Sequence, residues 1–391
     1  MRKKIALLLS TLFLMTSVLS GCGKNTNSGD KTSESKDDVI KIGVFEPLTG
    51  ANAGGGALEL EGIKLANKLY PEVLGKKVEL VVVDNKSDKV EAANAASKLV
   101  DKEKVTAIVG SWGSSLSMAA GDIVKKAKVP TVGTSCTNPL VTQGNEYYFR
   151  VCFIDPFQGT VMANYAYSKL KAKKVAIVQE VANDYAIGLS KYFTDSFKKL
   201  TGDNNSIIAV ANYNTGDQDF TAQLTNIKGK NPDVIFAPGN FTESALVIKQ
   251  ARQLGISCPI IGGDTWETPQ FIEIGSKAVE GSVFSTFFAT EKPITKESEK
   301  FLTEYKKEYN KEPAAVTALG YDAYLILIKA LEKNGSTDTV KLRDTLANLK
   351  DFQGAAGVVN FDENRNAIKN AVIKQVKDGK FTFLDVVEPS K

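Results

Sequence analysis

Apolar residues along this chain follow two alternating rhythms. Short β-type runs lie at residues 40–45, 78–84, 107–110 and 131–133, and again at 174–179, 207–213, 233–237 and 259–262. Between them, apolar positions recur at steps of three and four through 58–69, 90–100, 116–126, 186–200 and 243–254. In the last stretch Ala245, Ile248, Ala251 and Arg252 keep that step, and Leu246 and Leu254 widen the apolar face. Strand runs alternating with helix-period stretches predict an α/β fold with mostly parallel sheets. The pattern appears twice, on either side of "FIDPFQG" at 153–159, so two doubly wound, Rossmann-like lobes are expected. Beyond residue 294 the pattern predicts helices over 301–309 and 314–333, a strand at 357–361 and strand-like runs at 371–376 and 381–386. Segments returning to each lobe give residues 39–155 with 288–362 as lobe one and 156–287 with 363–391 as lobe two. A body joined by several crossovers can hinge.

The first 38 residues read differently. Arg2, Lys3 and Lys4 precede an apolar run from Ile5 to Val18, which has signal-peptide form and is too short for a spanning helix of about 20 residues. Residues 1–21 are therefore expected to be a signal peptide. The polar stretch "GKNTNSGDKTSESKDD" carries no apolar period, so 22–38 reads as a flexible leash.

Composition removes function classes. The 391 residues include no histidine, which excludes Ser-His-Asp and Cys-His nucleophiles and His-ligated zinc. Setting Arg2, Lys3 and Lys4 aside from the 49 basic residues leaves 46 against 45 acidic ones, so there is no electrostatic case for nucleic acid. The glycines 54–56 lack the following lysine of a phosphate loop. Cys136, Cys152 and Cys258 have no metal-ligand spacing and read as core or loop thiols, one pair of which could be oxidised. Neither metal nor cofactor is expected.

In parallel α/β sheets, ligands gather where strands end and helices begin. "VTAIVGSWGSSLSM" (105–118) runs off a strand into Ser111, Trp112, Ser114 and Ser115, with Ser114 at or just before a helix N-cap. A cap contributes roughly 1 kcal/mol, and the partial positive charge of such a helix start also suits a carboxylate. The next strand ends in "VPTVGTSCTNPL", offering Thr134, Ser135 and Thr137. In the second half Asp264 follows "CPIIGG", where it can cap a turn or pair with a cation. Hydroxyls on one lobe and a carboxylate on the other match the two charged ends of an amino acid.

Together the Leu19-Ser20-Gly21-Cys22 lipobox, "IKIGVFEPLTG", "AIVGSWGSS", "VPTVGTSCTNP", "NDYAIGL" and "IIGGDTWETP" resemble the type I periplasmic solute-binding proteins of ABC importers, in the branched-chain amino-acid group. The resemblance runs from about residue 39 to 387. It implies acylation of Cys22 and a lipid-anchored position on the outer face of a bacterial membrane. It implies also that a small amino acid is captured by hinge closure and passed by a monomer to a membrane permease. By the same resemblance Ser114 takes the ligand carboxylate, Ser135 and Thr137 add contacts to carboxylate and ammonium, and Tyr185 comes from the second lobe. Asp264 receives the ammonium, and Trp112 and Tyr321 surround the side chain. The sequence departs from the pattern at Gly54 and Gly55, where a lid loop often carries an aromatic, at Asn240, where an aromatic is common, and at Ser87 and Gly113, where some relatives have a disulfide. Two other readings stay open: a ligand-sensing subunit for a membrane receptor, or a binding protein for a different small carboxylate or amide. An enzyme with Ser114 as nucleophile is not expected, because "GSWGS" is not a nucleophile elbow.

Overall fold

The computed structural model describes residues 39–389. The signal peptide, the lipobox with Cys22 and the leash lie outside the described residues.

The alternating pattern folds into two sheets. The first contains β1 (Val39–Glu46), β2 (Glu72–Val73), β3 (Lys76–Asp84), β4 (Ala107–Val109), β5 (Thr131–Gly133) and β6 (Tyr148–Arg150), in the order β2-β3-β1-β4-β5-β6. All its pairings are parallel except that of β2 with β3, and β1 sets the register, with Ile42 opposite Ala107 and Leu80. The next strands are β7 (Val175–Glu180), β8 (Ile207–Tyr213), β9 (Val234–Phe236), β10 (Ile260–Gly262) and β11 (Val283–Thr286). A small three-stranded sheet follows, of β12 (Phe352–Gly354), β13 (Gly357–Phe361) and β14 (Ala367–Ile368), before β15 (Ala371–Lys377) and β16 (Lys380–Val387). The second main sheet has the order β16-β15-β11-β10-β9-β7-β8, with β15 and β16 antiparallel at its edge.

The chain thus crosses between the sheets after β6, after β11 and before β15. The hydrophobic periods decide which face each helix buries. Phe193 of helix Asp184–Thr201 stacks on Phe236 of β9 at 4.0 Å between ring centres. Helix Ala53–Leu69 packs against helix Ala315–Asn334 so closely that a side chain at Gly62 would stand 1.9 Å from the Thr317 carbonyl oxygen, and one at Gly320 2.2 Å from that of Glu59. No helix among the described residues is long and apolar enough to cross a membrane.

The structure corrects several expectations. The first helix starts at Ala53 rather than 58, so Gly54 and Gly55 lie in its opening turn and not in a loop. Glycine propensity argues against helix there, but the backbone is held close to its neighbours: a Cβ on Gly56 would stand 2.2 Å from the Pro47 carbonyl oxygen. Ser114 is the first residue of helix Ser114–Ala127, and the N-cap is Gly113, whose φ of 85° suits glycine. No side chain caps that helix. The sequence reading also passed over β6, β11 and helices Asp155–Asn164, Thr221–Lys230 and Pro269–Gly275, all short.

Candidate functional site

Carboxyl ends of β4 and β5 face those of β7, β9 and β10 across a cleft that holds a cavity of about 180 Å³. Trp112, Ser115 and Ser135 line it from the first side, and Tyr185, Asn240 and Thr265 from the second.

On the first side, glutamates brace the loop after β4. The Trp112 N–H donates to Glu46 Oε2 at 2.7 Å, and the Ser111 hydroxyl accepts from Asn85 Nδ2 at 2.9 Å. Ser111 is therefore structural. The buried Trp112 ring lies over the start of helix Ala53–Leu69, where a Cβ on Gly55 would reach 2.5 Å from it, and meets Phe241 edge-on from the second side, 6.4 Å between ring centres. Behind the loop sits Glu59, which accepts from the Thr134 hydroxyl at 2.7 Å. Burial pushes the Glu59 carboxyl up to about 8, against the hydrogen bonds of Glu46, Ser135 and Thr134, and burial together with Glu59 raises Glu46 as well. The Ser114 hydroxyl accepts from the Asn138 N–H at 3.0 Å, joining the β4 and β5 loops. The buried Thr137 Oγ1 faces the buried Asp155 carboxyl, which burial pushes up and Thr137 draws down, and has no hydrogen-bond partner elsewhere.

On the second side, Asp264 opens the turn after β10 and is buried. Its Oδ1 accepts from Gln158 Nε2 at 2.6 Å and from the Tyr185 hydroxyl at 3.0 Å, whereas Oδ2 has no partner. Gln158 also donates to Ser285 Oγ at 2.9 Å. Gly263 makes this contact possible, since a Cβ there would stand 2.1 Å from the Tyr185 hydroxyl oxygen. Burial pushes the Asp264 carboxyl up to about 6, held from rising further by Gln158 and Tyr185. Asn240 Nδ2 reaches Glu180 Oε2 at 3.4 Å, and the same carboxylate accepts from Asn183 Nδ2 at 2.9 Å and from the Thr215 hydroxyl.

The sequence-selected residues Trp112, Ser135, Tyr185 and Asn240 line one cavity, Asp264 stands directly behind Tyr185, and Ser114 and Thr137 sit beneath the opposite loops. Tyr321 does not join them. Its hydroxyl donates to Glu297 and its ring packs on Phe301, within the helices that cover the first sheet. Its place in an almost wholly buried helix is a helix-packing place. The three cysteines among the described residues are free thiols, with Cys136 and Cys152 buried.

Sequence reasoning missed the contacts that bridge the cleft. The Ser115 hydroxyl donates to Asp184 Oδ2 at 2.7 Å, the Asp184 N–H donates to Ser115 Oγ at 3.0 Å, and Lys89 Nζ lies 2.9 Å from Asp184 Oδ2. Asn138 Nδ2 adds a bond of 2.8 Å to the Asp184 carbonyl. Partial burial raises the Asp184 carboxyl, but the Ser115 hydroxyl and the Lys89 ammonium hold it below its usual range. Their positions lie up to 95 residues apart, so nothing local marks them as partners.

Against known proteins, the family model described as periplasmic binding protein matches residues 39–380. The chain is similar to a leucine-binding protein from Thermotoga maritima, at 45% identity over 90% of this chain and 99% of that one, with a TM-score of 0.86. It is similar also to the branched-chain amino acid transporter substrate-binding protein LivJ from Streptococcus pneumoniae, solved in complex with isoleucine. There identity is 36% over 90% and 100% of the two chains, and the TM-score is 0.84. A Leu/Ile/Val-binding protein from Rhizobium johnstonii is 31% identical over 83% of this chain and 88% of its own length.

Proposed function

Because the chain belongs to the periplasmic binding protein family, we propose that it captures a neutral amino acid of the branched-chain class outside the cytoplasm and delivers it to the permease of an ABC importer. It binds and does not transform its ligand. The observation that carries the reading is the spare Oδ2 of buried Asp264. A buried carboxylate with one oxygen fixed by Gln158 and Tyr185 and the other unpartnered is costly until a cation reaches it, and an ammonium is the cation that also donates hydrogen bonds. The opposite wall offers the complement. The uncapped start of helix Ser114–Ala127 favours a carboxylate, beside the Ser135 hydroxyl. A ligand with a carboxylate but no amine would leave Asp264 unpaired.

The far end of the cavity, at Asn240 and Glu180, meets the ligand's side chain. There the Glu180 carboxylate is already occupied by Thr215, Asn183 and Asn240, so it calls for no second cation, and a neutral side chain fits. Closure is favoured by contacts that form only when the lobes meet. With residues 39–155 and 288–362 as one lobe and 156–287 and 363–391 as the other, those are the ligand's bonds to Tyr185 and Asp264 together with the Asp184 latch. Acylation of Cys22 would anchor a monomer beside its permease, with the leash giving it reach.

Calorimetry with leucine, isoleucine, valine and 4-methylpentanoate tests the proposal. At least one amino acid should bind, and at a hundred times its dissociation constant add about 2.7 kcal/mol of stability. If 4-methylpentanoate, which lacks only the amine of leucine, bound as tightly as leucine, the zwitterion reading would fail.

A further inference from the structure

A second apolar cavity lies outside the cleft. About 360 Å³ of space opens beside the crossovers that join the two sheets, within the range of small-molecule sites. Its walls are Phe287 and Phe288, on the segment leaving β11, Val358 on β13 and Val372 on β15. Apolar side chains continue to its mouth, where Ile294 is 63% and Ile368 52% exposed. No acidic side chain lines it.

Of the polar lining residues Lys292, Asn360, Lys369 and Asn370, only Lys369 is buried. Lys369 is only 6% exposed, and its buried Nζ has no hydrogen-bond partner. The acid in its neighbourhood is Asp322, but the oxygens of that carboxylate already accept the N–H groups of Ala355, at 2.5 Å, and Ala356, at 2.9 Å. Burial pushes the Lys369 ammonium down from its usual range, with Asp322 opposing. Lys292, whose ammonium stands 4.1 Å from the centre of the Phe383 ring, adds a second positive charge at the exposed side. A buried ammonium without a hydrogen-bond partner is costly, and a carboxylate delivered on an apolar body would supply the missing hydrogen bond and a closer counter-charge.

We propose that this cavity is a second binding site, for a small monocarboxylate with an apolar body, whose carboxylate pairs with Lys369 and whose body lies against Phe287, Phe288 and Val358. The amino-acid cleft shares none of these residues, so the inference stands apart from the ligand proposed there.

Titration of the full chain with octanoate, with octan-1-ol as the uncharged control, tests it by calorimetry. Octanoate should bind at least tenfold more tightly than octan-1-ol, and shortening the acid to hexanoate should weaken it by roughly tenfold, two methylenes' worth. Lys369→Met keeps the unbranched apolar stem, one atom shorter, and removes the charge. It should weaken octanoate at least tenfold while leaving octan-1-ol unchanged. Val358→Trp fills the cavity from the opposite wall and should abolish both. Equal binding of acid and alcohol to the unaltered chain, no octanoate binding at millimolar concentration, or unchanged octanoate affinity in Lys369→Met would each overturn the proposal. If Lys369→Met did not fold, the acid-to-alcohol ratio on the unaltered chain and the Val358→Trp titration would decide it.

Discussion

Asp264 shows how one side chain can set both affinity and its pH dependence. Its carboxyl is held up to about 6 by burial, so below that pH a proton must leave before an ammonium can be received. Amino-acid affinity should therefore fall about tenfold per pH unit as pH drops below 6 and level off above it. Calorimetry in buffers of different ionisation enthalpy should detect release of about half a proton at pH 6, rising towards one below it. Asp264→Asn should abolish that slope and weaken binding by about 10- to 100-fold, the worth of a charge-assisted hydrogen bond. Glu59 makes a separate prediction, on stability. Its folded value, about 8, lies above that of an unfolded glutamate. The folded state therefore binds the extra proton, and the stability this contributes is complete below about pH 4.5 and lost as pH rises to 8. Midpoints of thermal unfolding should fall across that window, and Glu59→Gln should flatten the decline.

Helix pairs carry the next level. Helices Ala53–Leu69 and Ala315–Asn334 meet at Gly62 and Gly320, where backbone passes so near backbone that a methyl group has no room. Gly62→Ala improves local helix propensity by about 1 kcal/mol, yet it must push the helices apart, an overpacking cost of typically 1–3 kcal/mol. Denaturant unfolding should show net destabilisation. At the N-terminal end of the same helix, Gly55→Ala should displace the Trp112 ring and weaken ligand binding, although the residue touches no proposed polar contact. The strand runs and the long helices were legible from their periods, because apolar alternation records which face is covered. The glycine turn at 54–56 was not, because its helical state is imposed by Trp112 and Pro47 packing onto it rather than by its own propensity.

At the scale of the whole molecule, contacts among Ser115, Lys89, Asn138 and Asp184 bridge the two sides of the cleft, and on the proposed function they act as a latch. The Lys89 and Asp184 side chains are about half exposed, so that ion pair is screened by salt and contributes little alone. The hydroxyl and amide bonds add to it. Asp184→Ala should raise the radius of gyration of the ligand-free protein by small-angle scattering and weaken the ligand severalfold, since apparent affinity scales with the population of the closed form. Tyr321 marks the limit of reading by resemblance: its sequence context pointed to the ligand, but three-dimensional packing gave it Glu297 and Phe301 as neighbours.

By itself the sequence determined the α/β alternation, the duplication of that alternation and the strand ends at which hydroxyls and a carboxylate gather. These follow from local periodicity and from where strands must stop, which each segment encodes without reference to the rest. Only the tertiary structure decided that Gln158 and Tyr185 fix one oxygen of Asp264 and leave the other bare, that Asp184 closes on Ser115, and that Lys369 ends up buried without a partner. Such facts depend on groups far apart along the chain meeting at hydrogen-bond distance, and no period or spacing in one segment records where another will lie.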